Sequence, residues 1–302
     1  MPKSNDLLLL CAIVPVFLSA CSNDAEKQRI DPVADTPPQQ ATNTNSPVAD
    51  DVLFVVLGKM ALYDQEPAGD LVLRNHHFVA EIMPKAGRKI VAGTLADAND
   101  ETKSIEFNPE GNAFMAHGAR VSNPDELHQV HPDGAYVFSY QTESGQMDSQ
   151  VLNLRKRDYI NGMPAPARVS ALQNGSEVDD ATIDASADLE LSWESMPGNT
   201  KVPDSELADL VFVLAFDCFG NNIAHSGRPY QGGPFLTYED STYVIPADVL
   251  MSGLHYTVIV EQATADVDTT LGVPGIATYA TLTFLEFETS GQAVAEECPV
   301  AR

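Results

Sequence analysis

The residues in this chain best suited to chemistry are five histidines: His76 and His77 side by side, His117, and the pair His128 and His131. Imidazole is the commonest metal ligand among side chains, and a spacing of three puts His128 and His131 on one face of any helix that carries them. A metal site on His76, His128 and His131 would need the fold to bring distant segments together. Strand geometry works against a larger set, because neighbours such as His76 and His77 point to opposite faces and cannot easily share a cluster. Surface histidines in an acidic protein give the same pattern, and the chain is read as holding no metal and no other cofactor. Asp97, Asn99 and Glu101 alternate like calcium-loop ligands, but the glycine and distal glutamate of such a loop are missing. Asp266 and Asp268 are similar, and both sets read as solvated turn acids. His225-Ser226 has no supporting acid or oxyanion signature. The nucleophile elbow, the phosphate-binding glycine loop, the His-Glu-x-x-His pair and the dinucleotide fingerprint are all missing, so no enzyme is expected.

What must position these residues is a β-rich chain. Of 302 residues, 44 % are hydrophobic, enough to bury a core, and 43 acids against 17 bases give a net charge of −26. That balance excludes nucleic acid as a partner, since counterion release needs clustered Lys and Arg. After Asp51 the helical period is nearly missing. Val52 to Leu57, Asp70 to Leu73, Phe78 to Ile82, Lys89 to Leu95, Ala135 to Tyr140 and Val151 to Leu154 read as strands between turn residues. Pro124 to Val130 reads as the one helix, with Asn123 as its cap. Beyond Pro164-Ala165-Pro166, strands are expected over Ala167 to Leu172, Leu189 to Trp193, Leu210 to Phe216, Asn222 to His225, Thr242 to Ile245 and Tyr256 to Val260. In the last strand Leu282 and Phe284 share a face while Leu285 and Phe287 have the opposite parity, which predicts a β-bulge between them.

The amino end has its own anatomy. Lys3 precedes an unbroken apolar run from Leu7 to Phe17, then Leu18-Ser19-Ala20-Cys21, and polarity begins at Ser22. The run is too short for a permanent membrane helix and has the form of a secretory signal. Leu18 to Cys21 also resembles the lipobox of bacterial lipoproteins. The resemblance implies that residues 1–20 are a signal peptide, that Cys21 carries lipid, and that Ser22 favours sorting to the outer membrane. Residues 21–50, rich in Pro, Gln, Asn and Thr, lack the apolar surface to offset ordering entropy and read as a disordered tether.

The second half resembles a fibronectin type III domain. Trp193 followed by Glu194-Ser195-Met196-Pro197 is similar to the family's second-strand tryptophan and its nearby proline, and Leu250, Gly253 and Tyr256 are similar to its tyrosine corner. Leu127, Pro132, Gly134 and Tyr136 carry a fainter form of the same corner in the first half. The resemblance implies an all-β chain of two tandem immunoglobulin-like sandwiches, at 51–157 and 164–289, with a tail at 290–302. It also implies expanded loops, for which Ser226 to Asp240 and Thr264 to Ala277 are the candidates. In such a sandwich the strand ending at Cys218 and the last strand end at one pole, so outside the cytoplasm Cys218 and Cys298 are expected to pair; two free thiols are the alternative. Cys11 leaves with the signal. The function expected is that of an outer-membrane lipoprotein, a non-enzymatic binding or spacer module held to the membrane by its lipid, with an envelope protein or glycan as partner. The alternatives are a metal-dependent enzyme or sensor using the histidines, and a carbohydrate-binding accessory protein. Tyr230, Phe235 and Tyr238 are the aromatics the expanded loop offers the last of these.

Overall fold

The computed structural model describes residues 47–157, 162–179, 183–196, 207–247, 249–270, 272–293 and 298. The leader, Cys21 and the tether as far as residue 46 therefore lie outside the described residues, while Pro47–Asp50, expected as the end of a disordered tether, are ordered because Val48 is fully buried in the first core. Among the described residues no helix is long and apolar enough to cross a membrane.

After a short 3-10 turn at Pro47–Asp50, the first half contains β1 (Val52–Gln65), β2 (Leu71–Pro84), β3 (Ile90–Asp97), β4 (Asp100–Glu106), β5 (Asn108–Glu110), β6 (Ala113–Val121), α1 (Pro124–Val130), β7 (Gly134–Thr142) and β8 (Gln146–Leu154). One sheet runs β1-β2-β6-β5 and the facing sheet runs β4-β3-β7-β8. This is the ABED and C′CFG order of an immunoglobulin-like sandwich. Between the sheets lie Leu57, Phe78, Ile82, Leu95, Phe138 and Leu152, all nearly or fully buried. Helix α1 begins where Asn123 accepts a hydrogen bond from the Asp125 amide and Pro124 opens the first turn, and it buries Leu127.

The second half continues with β9 (Val169–Gln173), β10 (Ser176–Glu177), β11 (Leu189–Trp193), β12 (Leu210–Asp217), β13 (Asn222–His225), β14 (Leu236–Thr237), β15 (Thr242–Ile245), β16 (His255–Ala263), β17 (Asp266–Asp268) and β18 (Gly275–Glu288). Here β10-β9-β11-β15 faces β13-β12-β16-β18, the strand order of a second sandwich of the same type. Trp193, Leu189, Val213, Tyr256, Val258 and Phe287 form its core.

The two sandwiches do not sit as beads on a linker. β18 pairs with β16 on one side and, in parallel, with β1 on the other, from Val55↔Gly275 to Gln65↔Leu285. The inner sheets of both halves thereby fuse into one ten-stranded sheet. Joining edge to edge also removes the open edges that each sandwich would otherwise present at β1 and β18.

No bulge is needed in β18, where the sequence reading expected one; its pairing with β16 is continuous from Glu288 to Ala280. Both parities are buried because both faces of the sheet are covered. Leu285 and Phe287 enter the second core, while Leu282 and Phe284 join Leu62, Leu214 and Ile259 on the opposite face. The stretch Thr264 to Ala277, expected as a loop, holds β17 and the start of β18 instead.

Side-chain bonds fasten the seam. The Gln65 amide donates to the Val169 carbonyl at 2.7 Å and its oxygen accepts from the Val169 amide at 2.8 Å. Arg157 reaches from the end of the first sandwich to Asp209 at 2.7 Å and Asp266 at 2.8 Å. Lys59, 3 % exposed along its side chain, meets Asp133 at 2.7 Å, and Asp133 also accepts from the Tyr279 hydroxyl. Burial pulls the Lys59 ammonium down while Asp133 opposes it, and the Lys59 and Tyr279 donors hold Asp133 low against its own burial.

Candidate binding site at the seam

The histidines named from sequence are placed apart by strand alternation. His76 and Phe78 share the face of β2 that looks into the first core, and His77 shares the other face with Val79 and Glu81. His77 stacks on His117 at 5.1 Å between ring centres. His117 in turn lies 2.8 Å from Glu110, and Arg120 donates to His77 at 3.4 Å. On the core side, His131 stacks on Phe78 at 4.0 Å, and its Nε2 accepts from the Ala119 amide at 3.0 Å. That leaves the ring proton on Nδ1 and Nε2 unavailable to a metal. His128 stands by Lys59 and Asp133, 3.6 Å from the latter. His76, His128 and His131 thus do not converge, and no group of three His, Cys, Asp or Glu able to hold a metal occurs among the described residues. Burial first, then the charges of Arg120, His117 and His131, hold His77 down at about 3; burial, with Lys59 and Lys103 adding to it, holds His131 at about 4.

The acids compared with calcium ligands have structural duties. Asp97 accepts from the Asn99 amide at 2.8 Å in the β3–β4 turn, while the Glu101 side chain is outside the described residues. Asp266 is taken by Arg157, and Asp268 caps a turn by accepting from the Thr270 amide at 2.8 Å.

Tyr256 makes the corner its sequence suggests. Its hydroxyl accepts from the Met251 amide at 2.7 Å and donates to the Met251 carbonyl at 3.3 Å. Gly253 has φ +70°, and a Cβ there would fall 2.4 Å from the Ala293 nitrogen, so the position needs glycine for both conformation and space. Cys218 and Cys298 are bonded, 80 positions apart in sequence with Cα atoms 5.5 Å apart. Leu250 and Trp193 lie in the same core, and the Trp193 indole nitrogen finds no partner among the described residues.

Sequence reasoning missed a cavity of about 120 Å³ on the outer face of the fused sheet, over the seam. Its floor comes from both sandwiches: Phe54 and Glu81 from the first, and Phe212, Glu261, Ile276 and Thr278 from the second. Thr278 can lie flat there because its partner across the seam is Gly58, where a Cβ would come 2.6 Å from the Thr278 methyl. The roof is the expanded loop after β13. Ser226 fixes its start, with its hydroxyl accepting from the Val213 amide at 2.9 Å and its own amide donating to the Val213 carbonyl at 3.0 Å. Tyr230 and Phe235 pack against the outer-face clusters, and Tyr238 packs against the second core, so these aromatics line no row for a sugar.

The cavity walls are mostly apolar, with four polar groups converging on them. Arg228 reaches Glu81 at 3.3 Å across the seam, both side chains being well buried. His225 offers Nδ1 to the Gly227 amide at 2.9 Å and Nε2 to Arg228 at 3.2 Å. Burial, then the Arg228 charge, holds His225 at about 4; as a neutral ring with one acceptor nitrogen it answers one of these donors at a time. The Glu261 carboxylate, near the end of β16, takes no side-chain hydrogen bond among the described residues, although its backbone is paired with Phe212 and Leu282. Burial, with Glu81 adding to it and Arg228 opposing, pushes its carboxyl up to about 7. A concave apolar site with a few converging polar groups and a displaced titration is the usual form of a small-molecule site.

No family model matches the sequence, and no curated protein matches it. Among solved structures the chain is similar to the crystal structure of chicken CNTN1 FN1–FN3 domains, at 10 % identity and a TM-score of 0.22. The match covers 77 % of this chain and 63 % of that one, so the chain spans less than two thirds of that structure's length. The fold assignment rests on strand order and register: an all-β chain of two immunoglobulin-like sandwiches sharing one sheet.

Proposed function

We propose that this protein is a lipid-anchored component of a bacterial cell envelope, held at the outer membrane through Cys21, in which the fused double sandwich is a rigid, non-catalytic binding and spacing module. The observation that carries the reading is the parallel β1–β18 pairing, continuous from Val55↔Gly275 to Gln65↔Leu285. Two domains joined by a linker move freely by default. Here rotation about the seam would break a backbone ladder and the ion pairs across it. Strands of this length span about 45 Å, so the unit is a stiff body of fixed geometry. The anatomy of Leu7 to Cys21 supports the anchor, and the tether after it would let the body stand off from a membrane by a few tens of ångströms. A net charge of −26 suits a soluble body that does not settle on anionic lipid.

The anchor is tested by metabolic labelling with a fatty-acid analogue in cells making the wild type or Cys21→Ala. Label on the wild type alone, with the protein in the outer-membrane fraction, is the expected result. Equal label on both, or an unlabelled wild type in the soluble fraction, refutes it.

A further inference from the structure

Glu261 is the unbalanced charge of the seam cavity. The charged and titratable groups that face it are Glu81 from β2, Arg228 from the roof and His225 at the end of β13. Arg228 is committed to Glu81 at 3.3 Å, and His225 is held neutral by its surroundings. A carboxylate left in apolar walls without a partner is costly, so the site as built lacks a positive charge. Glu261 lines the cavity with Phe54, Phe212 and Ile276.

These features select a ligand class. Two carboxylates against one guanidinium disfavour an anion. A divalent metal would need further oxygen or nitrogen ligands, and no group of three such side chains occurs among the described residues. The apolar walls favour a body with carbon surface. An engineered cavity of about 150 Å³ accommodates benzene, so a space near 120 Å³ suits about five or six heavy atoms. The strong negative charge of the chain raises the local concentration of any cation near it.

We propose that the seam cavity binds a small primary ammonium with an apolar tail, its N–H groups received by the Glu261 carboxylate and its tail lying along the wall that Phe212, Ile276 and Phe54 line. The raised proton affinity of Glu261 fits this role, because the bound ammonium supplies the compensation that a proton otherwise supplies. The proposal deepens the binding half of the reading above and does not involve Cys21. Failure of amine binding would leave the anchor intact, and an unlabelled Cys21 would leave the cavity as it is.

The test is calorimetric titration of the full chain with butylammonium, 1-butanol and butyrate, with methyl NMR shifts at Ile276 to locate binding. Butylammonium should bind saturably at pH 8 and about tenfold more weakly at pH 5.5, where Glu261 carries a proton. Glu261→Gln should weaken it about tenfold, the variant retaining the wild-type fold by circular dichroism. The loss of affinity between pH 8 and pH 5.5 is read on the unchanged chain, so it decides the matter if the Gln substitution disturbs folding. Butanol or butyrate binding as tightly as the ammonium, no saturable binding at millimolar ligand, equal binding at the two pH values, or undiminished binding in a folded Gln variant would overturn the assignment.

Discussion

In the first sandwich the tyrosine that opens β7 gives its hydroxyl proton to the carbonyl of Pro132 at 2.8 Å; in the second, Tyr256 at the start of β16 both accepts from and donates to the backbone of Met251. The two corners occupy the same place in the same strand order, yet their surroundings differ. Beside the first lies Asp133, which takes Lys59 and Tyr279 and so ties the corner to the seam. Against the second lies the segment that follows β18. Thr289 donates to the Met251 carbonyl at 2.6 Å, Ala293 packs over Gly253, and the His255 amide donates to Cys298 Sγ at 3.3 Å. One corner therefore serves to join domains and the other to pin the segment after β18. A shared motif fixes how a strand crosses between sheets, while the residues next to it decide what that crossing is fastened to.

The largest perturbation should fall on the second corner. Replacing Cys218 and Cys298 by serine opens a loop of 80 residues and should cost about 4 kcal/mol in the chain-entropy model. That corresponds to a fall in Tm of about 10 °C for a body of this size, read by calorimetry and reproduced in wild type by a reductant. Hydrogen exchange should quicken at Met251 and Gly253 and stay slow at Tyr136. Equal loss of protection at both corners would mean that they form one cooperative unit. The complementary break is Asp133→Asn, which strands the Lys59 ammonium in a site where its side chain is 3 % exposed and should cost about 3 kcal/mol. Adding Lys59→Met should restore most of it. Exchange in this variant should quicken along the β1–β18 pairing and leave Met251 protected.

Acid should act more strongly on the first sandwich, which holds two depressed histidines, than on the second, which holds His225 at about 4. His131 titrates near 4 in the folded protein against 6.5 in the open chain, and His77 near 3. The unfolded state therefore binds more protons than the folded state below pH 6.5. Stability is full above that pH and declines as pH falls toward the folded values. His131→Gln keeps an acceptor for the Ala119 amide but cannot titrate. It should flatten the decline between pH 6.5 and 4 by about 2 kcal/mol, measured by urea titration at several pH values and discounted for partial exposure. An unchanged slope would mean that the ring binds its proton equally well in the folded and unfolded chains.

Much of this was legible in the sequence, for local reasons. The helix Pro124–Val130 shows because Asn123, a proline and two acids mark its start, and β13 and β15 have the bounds their apolar runs suggest. Both corners follow from motifs with fixed spacing, and the Cys218–Cys298 bond from the common pole of two strand ends in the sandwich the chain resembles. The fused sheet was hidden. Its central strand is rich in threonine, with Thr281 and Thr283 buried because their hydroxyls donate to Ala165 and Ala167, so polarity there does not signal exposure. The parity switch at Leu285 is the trace that burial on both faces leaves, and it reads equally well as a bulge. Strands β4 to β6 escaped notice because Lys103, Glu106 and Asn108 look like loop residues, although an exposed sheet face tolerates them. The cavity is a product of tertiary structure: Phe54, Glu81, Arg228 and Thr278 meet only because β18 pairs with β1.

The smallest effect tests the corners themselves. Tyr136→Phe removes a donor from the Pro132 carbonyl, which keeps a second lone pair for water, and should cost about 0.5 kcal/mol. Tyr256→Phe leaves both the Met251 amide and its carbonyl without their partner. An unmet donor is penalised more than an unmet acceptor, so the loss should reach about 1.5 kcal/mol. The carbonyl still accepts from Thr289, which limits the damage. Combining Tyr256→Phe with Thr289→Val removes that support, and the pair should lose more than the sum of the single variants. Denaturant melts of the four chains measure this directly. Additive losses would mean that the segment after β18 and the corner are fastened independently, and the distinction drawn between a joining corner and a pinning corner would then reduce to the disulfide alone.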